Sequence, residues 1–180
     1  MRHLFILPLL LLLASLPASA EPGGPAALFD HTMRRLHSPE TVDLRASYAG
    51  QPLLIVNTAS HCGFTDQFGD LETIHQTYRE RGLKVIGFPS NDFRQEADDE
   101  ADTARVCFVN FGVSFDMFAP IHVRGDDAHP IFRELARQSS APRWNFHKYV
   151  VDREGRVVGA FPARTSPTSR EVREAIESVL

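Results

Sequence analysis

The chain carries two cysteines, Cys62 and Cys107. Cys62 lies in Asn57-Thr58-Ala59-Ser60-His61-Cys62-Gly63-Phe64-Thr65, after the apolar run Leu53–Asn57 and before a helical pattern that starts at Asp66. A strand-to-helix turn offers a sulfur unpaired backbone amides and the positive end of a helix macrodipole, and both favour thiolate over thiol. Cys62 is therefore a candidate nucleophile. The even cysteine count leaves a second reading open, a structural disulfide to Cys107 closing a loop of roughly 45 residues and contributing about 3–4 kcal/mol. The turn is an awkward seat for an inert staple, which favours the reactive reading. The segment reads Cys62-Gly63-Phe64-Thr65, without the second thiol of Cys-x-x-Cys, so dithiol exchange at this turn is excluded. A lone activated thiolate attacks an electrophile such as a peroxide oxygen and becomes a sulfenic acid that another thiol must reduce. Cys107 is available for that step.

Other reactive side chains form no site. His61 adjoins Cys62, but neighbours on a tight turn point apart, and the remaining histidines after residue 20 (31, 37, 75, 122, 129, 147) show no metal-ligand spacing. Asp98-Asp99-Glu100 lacks the alternation and glycine of a calcium loop and reads as the acidic start of a helix. Without a phosphate loop or dinucleotide fingerprint, neither cofactor nor metal is expected.

The elements that must position Cys62 follow from the apolar pattern. Leu28–Met33 and Thr41–Leu44 read as short strands joined across Ser38-Pro39. Leu53–Asn57 is a strand buried on both faces. Phe68, Leu71, Ile74 and Tyr78 recur at helical spacing within 66–81, with Gly82 as C-cap, and Leu83–Phe88 is a second buried strand. Strand, helix and strand make a βαβ unit. Ala97–Phe111 reads as a helix, Met117–Val123 as a strand and His129–Gln138 as a helix. Phe146–Asp152 and Arg156–Phe161 form a hairpin, and Thr168 with Glu171 caps a last helix. The expected architecture is α/β, a mixed central sheet flanked by helices on both faces, laid out as in a thioredoxin-like fold.

The 180 residues are 43% hydrophobic and 23% charged, with net charge −4 from 19 basic and 23 acidic side chains. No basic footprint marks a nucleic-acid binder. Arg2 and His3, the apolar run Leu4–Leu16 and Ala18-Ser19-Ala20 read as a signal peptide over 1–20. That run is too short to span a bilayer, and no cysteine follows the cut to take a lipid anchor. Residues 21–180 are then one exported domain, periplasmic or secreted, without a stable membrane anchor, and large enough to fold without disulfides.

Three ordered blocks carry a family resemblance. Asn57-x-Ala59-Ser60-x-Cys62-Gly63-x-Thr65 resembles the segment around the peroxidatic residue of the glutathione peroxidase family. Gly87-Phe88-Pro89-Ser90-Asn91-Asp92-Phe93-Arg94-Gln95-Glu96 resembles its second motif and Trp144-Asn145-Phe146-His147-Lys148-Tyr149-Val150-Val151 its third. The resemblance implies a catalytic tetrad of Cys62, Gln95, Trp144 and Asn145, whose N–H donors would stabilise a thiolate and the oxygen left on peroxide cleavage. Departures bear on this transfer. Ser90 stands where many relatives have cysteine, and one residue is missing before Gln95. Cys107, in Val106-Cys107-Phe108-Val109-Asn110-Phe111, resembles the resolving cysteine of the thioredoxin-dependent branch. The implied substrate is hydrogen peroxide or an organic hydroperoxide, and the implied reductant a thioredoxin-like protein or glutathione.

Only Ser139-Ser140-Ala141-Pro142-Arg143 separates Gln138 from Trp144, where tetrameric glutathione-using relatives carry a long insertion. The resemblance therefore implies a monomer, or at most a weak dimer, with an open site and a preference for a protein reductant, and no cluster of Lys and Arg near the motifs offers glutathione a clamp. Two other readings stay open at this point: a general thiol oxidoreductase, and a non-catalytic thioredoxin-fold protein with a permanent disulfide.

Overall fold

The computed structural model describes residues 25–180; the expected signal peptide lies outside the described residues. Strand β3 (Leu53–Thr58) is buried along its whole length, as its unbroken apolar run requires. It pairs in parallel with β4 (Lys84–Pro89) and antiparallel with β6 (Lys148–Val151). Strands β5 (Asp116–Met117) and β7 (Val157–Phe161) close the edges, giving the order β5-β4-β3-β6-β7. Alternation along β3 divides the core. Leu54 and Val56 face Phe68, Leu71 and Ile74 of α2 (Gln67–Tyr78) and Val172 and Ile176 of α5 (Arg170–Glu177). Leu53 and Ile55 face Ile131, Phe132 and Leu135 of α4 (Pro130–Gln138). Helices thus cover both faces of a mixed sheet, the thioredoxin-like layout expected from the sequence.

Several boundaries differ for local reasons. Leu28 and Phe29, expected in a strand, are both buried in the same core cluster, which adjacent strand residues cannot be. Pro25–Phe29 is a 3-10 helix, and the hairpin is built from β1 (Thr32–Arg34) and β2 (Thr41–Asp43), with α1 (Leu44–Tyr48) following. The strand expected over 117–123 pairs with β4 only at Asp116 and Met117. Beyond it Pro120 has no N–H to give and the Ala119 amide turns to the Arg34 carbonyl, so contact with β4 thins to single bonds from Phe118 and Ile121 N–H to the Gly87 and Pro89 carbonyls. Met117 packs so closely that a Cβ on Gly87 would lie 2.3 Å from its Sδ, which is why β4 has glycine there. The last helix is capped by Ser169, whose hydroxyl accepts from Val172 N–H, so the expected Thr168–Glu171 box is displaced by one residue.

The helix expected over 97–111 starts later and changes pitch. Asp99 caps α3 (Glu100–Ala104) by accepting from Asp102 N–H, and the chain continues as a π-helix over Arg105–Asn110. Cys107 sits in this π segment, a wider turn of a kind that recurs at functional sites.

Candidate active site

The loops after β3 and β4 and the loop entering β6 meet at one edge of the sheet, because β3 and β4 run parallel and β6 runs against them. This edge, outside the carboxyl ends of parallel strands, is where open α/β sheets place ligands. The three sequence motifs therefore converge.

Cys62 is buried in the turn after β3, while His61 beside it is exposed, as expected for neighbours on a tight turn. Thr65 holds the turn. Its hydroxyl accepts from Cys62 N–H at 3.0 Å and lies within hydrogen-bond distance of the Ala59 and Cys62 carbonyls. Regular helix begins five residues beyond Cys62, at Gln67, so the sulfur does not cap α2 directly. What reaches Cys62 Sγ is the Phe64 amide, at 3.4 Å, which places a fixed N–H against the charge of a thiolate.

Gln95 and Asn145 come together. Asn145 Nδ2 donates to Gln95 Oε1 at 2.9 Å, and the Gln95 carbonyl accepts from His61 N–H at 2.8 Å. One backbone hydrogen bond thus ties the second motif to the residue preceding Cys62. Trp144 is 42% exposed, and its ring packs on Phe93 with centroids 5.4 Å apart. Both amides are flanked by backbone that only a rigid surround maintains. Arg94 and Phe146 have φ of 58° and 61°, a left-handed conformation that costs a bulky residue about 1–3 kcal/mol. Pairing of the hairpin consequently begins at Lys148 and not at Phe146 as expected.

Asn57 supplies much of that surround. It lies one residue before the end of the buried strand, and its side chain donates to the Trp144 carbonyl at 3.2 Å and accepts from His147 N–H at 3.1 Å, while its own carbonyl takes Phe146 N–H at 2.7 Å. An amide buried near the end of an apolar strand is the signal that marks it, and the sequence reading gave it no role. Glu96 was also passed over. It is buried, and its Oε1 accepts from Ser60 Oγ, from Thr103 Oγ1 at 3.0 Å and from Ala97 N–H at 2.8 Å.

A cavity of about 450 Å³ opens beside the indole, with Phe64, Arg143, Trp144, His147, Ala163 and Arg164 in its lining. Arg124 stacks on Phe93 at 5.1 Å, on which the Trp144 ring also packs. Three guanidinium groups therefore gather at the site, against the expectation that the motifs have no cationic cluster. Arg143 precedes Trp144 in the loop between α4 and β6, while Arg124 and Arg164 are remote in sequence and come in on the loop before α4 and the turn after β7. Beneath this wall Lys148 is wholly buried, its Nζ donating to Gln67 Oε1 at 2.8 Å, and burial pushes the amine down to about 7.

Cys107 is 0% exposed and shares the apolar layer of Cys62, yet each sulfur has its own partner, the Phe64 amide for Cys62 and the Thr103 carbonyl, at 3.0 Å, for Cys107. Both cysteines are free thiols. Burial, with the Glu96 charge adding to it, pushes the Cys107 thiol up to about 12, so it is protonated where it sits. Among the described residues no cluster of His, Cys, Asp or Glu could hold a metal ion.

Known proteins are similar to this chain in sequence and fold. A family model described as glutathione peroxidase matches residues 28–136. Over 147 residues the chain is 40% identical to a glutathione peroxidase of Lactococcus lactis, covering 78% of this chain and 92% of that protein. It is 42% identical over 137 residues to a glutathione peroxidase-like peroxiredoxin of Chlamydomonas reinhardtii, covering 73% and 83%. The crystal structure of Trgpx in apo form superposes with a TM-score of 0.64 at 32% identity, covering 83% of this chain and 95% of that one. A match across more than half the chain, joined to relatives aligned over most of their own length, makes this peroxidase-type oxidoreductase a member of the glutathione peroxidase family.

Proposed function

We propose that the protein is an exported, selenium-free thiol peroxidase whose peroxidatic residue is Cys62 and whose resolving residue is Cys107. The Cys62 thiolate attacks the distal oxygen of a hydroperoxide, the O–O bond breaks, and the alkoxide or hydroxide leaves with a proton as alcohol or water. Cys62 is then a sulfenic acid. The Cys107 thiol attacks its sulfur, forming the S–S bond and expelling hydroxide, which takes the Cys107 proton and leaves as water. A thioredoxin-like dithiol or glutathione supplies the two electrons and two protons that reopen the disulfide. Gln95, Trp144 and Asn145 are assigned to stabilising the thiolate and the departing oxygen through neutral N–H donors.

The observation that carries this reading is a lone buried Cys62 on a Cys-Gly-Phe-Thr turn tethered to the Gln95–Asn145 amide pair. It supports a nucleophile whose turn is tied to the amide pair and carries no second thiol for direct dithiol exchange. The test is peroxide consumption by purified mature protein with thioredoxin or glutathione. Cys62→Ser is expected to abolish turnover with the fold intact, since a serine hydroxyl is scarcely ionised and forms no sulfenic acid. Cys107→Ser is expected to consume one equivalent of peroxide and stall as sulfenic acid with a thioredoxin donor. Retained turnover in Cys62→Ser removes the assignment, and peroxide-treated wild type that shows no loss of two hydrogens by mass removes the two-cysteine cycle.

A further inference from the structure

Glu96 has no part in the cycle above, yet it is a carboxylate only 8% exposed that joins the two redox centres. Ser60, two residues before Cys62, and Thr103, one helical turn before Cys107, both donate to the same Glu96 oxygen. The Cys107 thiol in turn donates to the Thr103 carbonyl. The second oxygen, Oε2, is buried without a partner. A buried carboxylate with one oxygen saturated and the other bare is held by strong charge-assisted bonds and carries an unrelieved desolvation cost. Admission of water on opening relieves that cost and so offsets part, but not all, of what the bonds to Oε1 contribute to the closed form.

Forming the Cys62–Cys107 bond takes Cys107 out of its hydrogen bond to the Thr103 carbonyl, because the thiol proton that makes that bond is lost and the sulfur must come within about 2 Å of Cys62 Sγ. Unwinding the Thr103–Cys107 turn breaks the Thr103–Glu96 bond with it. We propose that Glu96 is a clasp that holds the Cys107 segment closed while the cysteines are reduced, a positioning residue for disulfide formation that acts through Ser60 and Thr103. The proposal rests on the assignment of Cys107 as the resolving thiol. It makes the clasp a feature of the reduced form alone, so the clasp sets the frequency of local opening and raises the reduction potential of the pair.

Thr103→Val tests this, because valine keeps the shape of threonine and removes only the hydroxyl; Thr103→Ser restores the hydroxyl and serves as the rescue. Loss of one charge-assisted bond in the closed form is expected to raise about tenfold the rate at which N-ethylmaleimide labels Cys107. The rate of sulfenic acid conversion to disulfide should rise by the same factor. The Cys62–Cys107 equilibrium should shift tenfold toward the disulfide, about 30 mV more negative. Thr103→Ser should stay within about twofold of wild type in all three. Loosened packing that weakens oxidised and reduced forms alike would leave the potential in place. Wild-type disulfide formation with an unmoved potential in Thr103→Val, or a Thr103→Ser that behaves as Thr103→Val, overturns the clasp and leaves the two-cysteine cycle standing. Absence of the disulfide in wild type overturns both.

Discussion

Asn145 Nδ2 donates to Gln95 Oε1 at 2.9 Å, so two amides fifty positions apart in sequence act as one group at the edge of the sheet. The bond engages the Gln95 oxygen and leaves the two Gln95 N–H groups outside the pair. Asn145 Oδ1 is buried without a partner. A buried acceptor left bare is costly in a resting fold.

Coupled groups lose function together. Gln95→Ala and Asn145→Ala should each lower the rate of Cys62 oxidation by roughly tenfold to a thousandfold. The double variant should be little worse than the more damaging single one, since either change already breaks the pair. Stopped-flow oxidation of Cys62 measures all three, and simple multiplication of the two single effects would separate the residues.

Asn57 holds the third motif by both faces of its amide. Asn57→Ala leaves the Trp144 carbonyl and the His147 N–H without buried partners, at about 1–3 kcal/mol each. The expected result is a Tm fall of roughly 5–15 °C and slower Cys62 oxidation, although Asn57 touches no reacting atom. A variant with unchanged Tm would show that the motif carries its own conformation.

The sheet and the βαβ unit were legible because Leu53–Asn57 and Leu83–Phe88 are unbroken apolar runs and Phe68, Leu71, Ile74 and Tyr78 repeat at helical spacing; burial on both faces leaves little choice. The Gln95–Asn145 bond, the Asn57 clamp and the Glu96 bridge were not. Each joins residues that local periodicity treats as unrelated, and each depends on left-handed backbone at Arg94 or Phe146 or on a π turn around Cys107, for which these side chains give no local signal. The arginines around Trp144 were missed for the same reason, since Arg124, Arg143 and Arg164 sit on three separate loops.

Lys148 gives the fold a pH dependence of its own. Burial lowers its amine from an ordinary 10.5 to about 7, with Asp70 opposing the shift. Between those values the unfolded chain binds the extra proton, so this group makes stability rise with pH by up to about 1.4 kcal/mol per unit. Below about pH 7 the penalty is constant. Chemical denaturation of wild type and Lys148→Met between pH 6.5 and 10 should give a difference that changes over this range, with the variant lacking that component of the slope. Parallel curves would mean that Lys148 stays charged in the fold.

The last prediction concerns assembly and reductant. Five residues, 139–143, connect α4 to Trp144, and Tyr149 pins this short loop by donating to the Ser140 carbonyl at 2.7 Å. A segment so short and tethered offers little surface for a tetramer interface, and it leaves the indole partly open for a protein partner to approach. Light scattering of the mature protein is expected to report a monomer, and a thioredoxin-like donor should be more efficient than glutathione because a Cys62–Cys107 disulfide suits a dithiol. The arginines temper the contrast without reversing it. Arg143 and Arg164 border the cavity beside Trp144 and can hold the carboxylates of glutathione, so Arg143→Ala with Arg164→Ala should raise the KM for glutathione severalfold. A stable tetramer would refute the assembly argument, and glutathione turnover that exceeds thioredoxin turnover would transfer the reductant's role from a docked protein to the arginine-lined cavity.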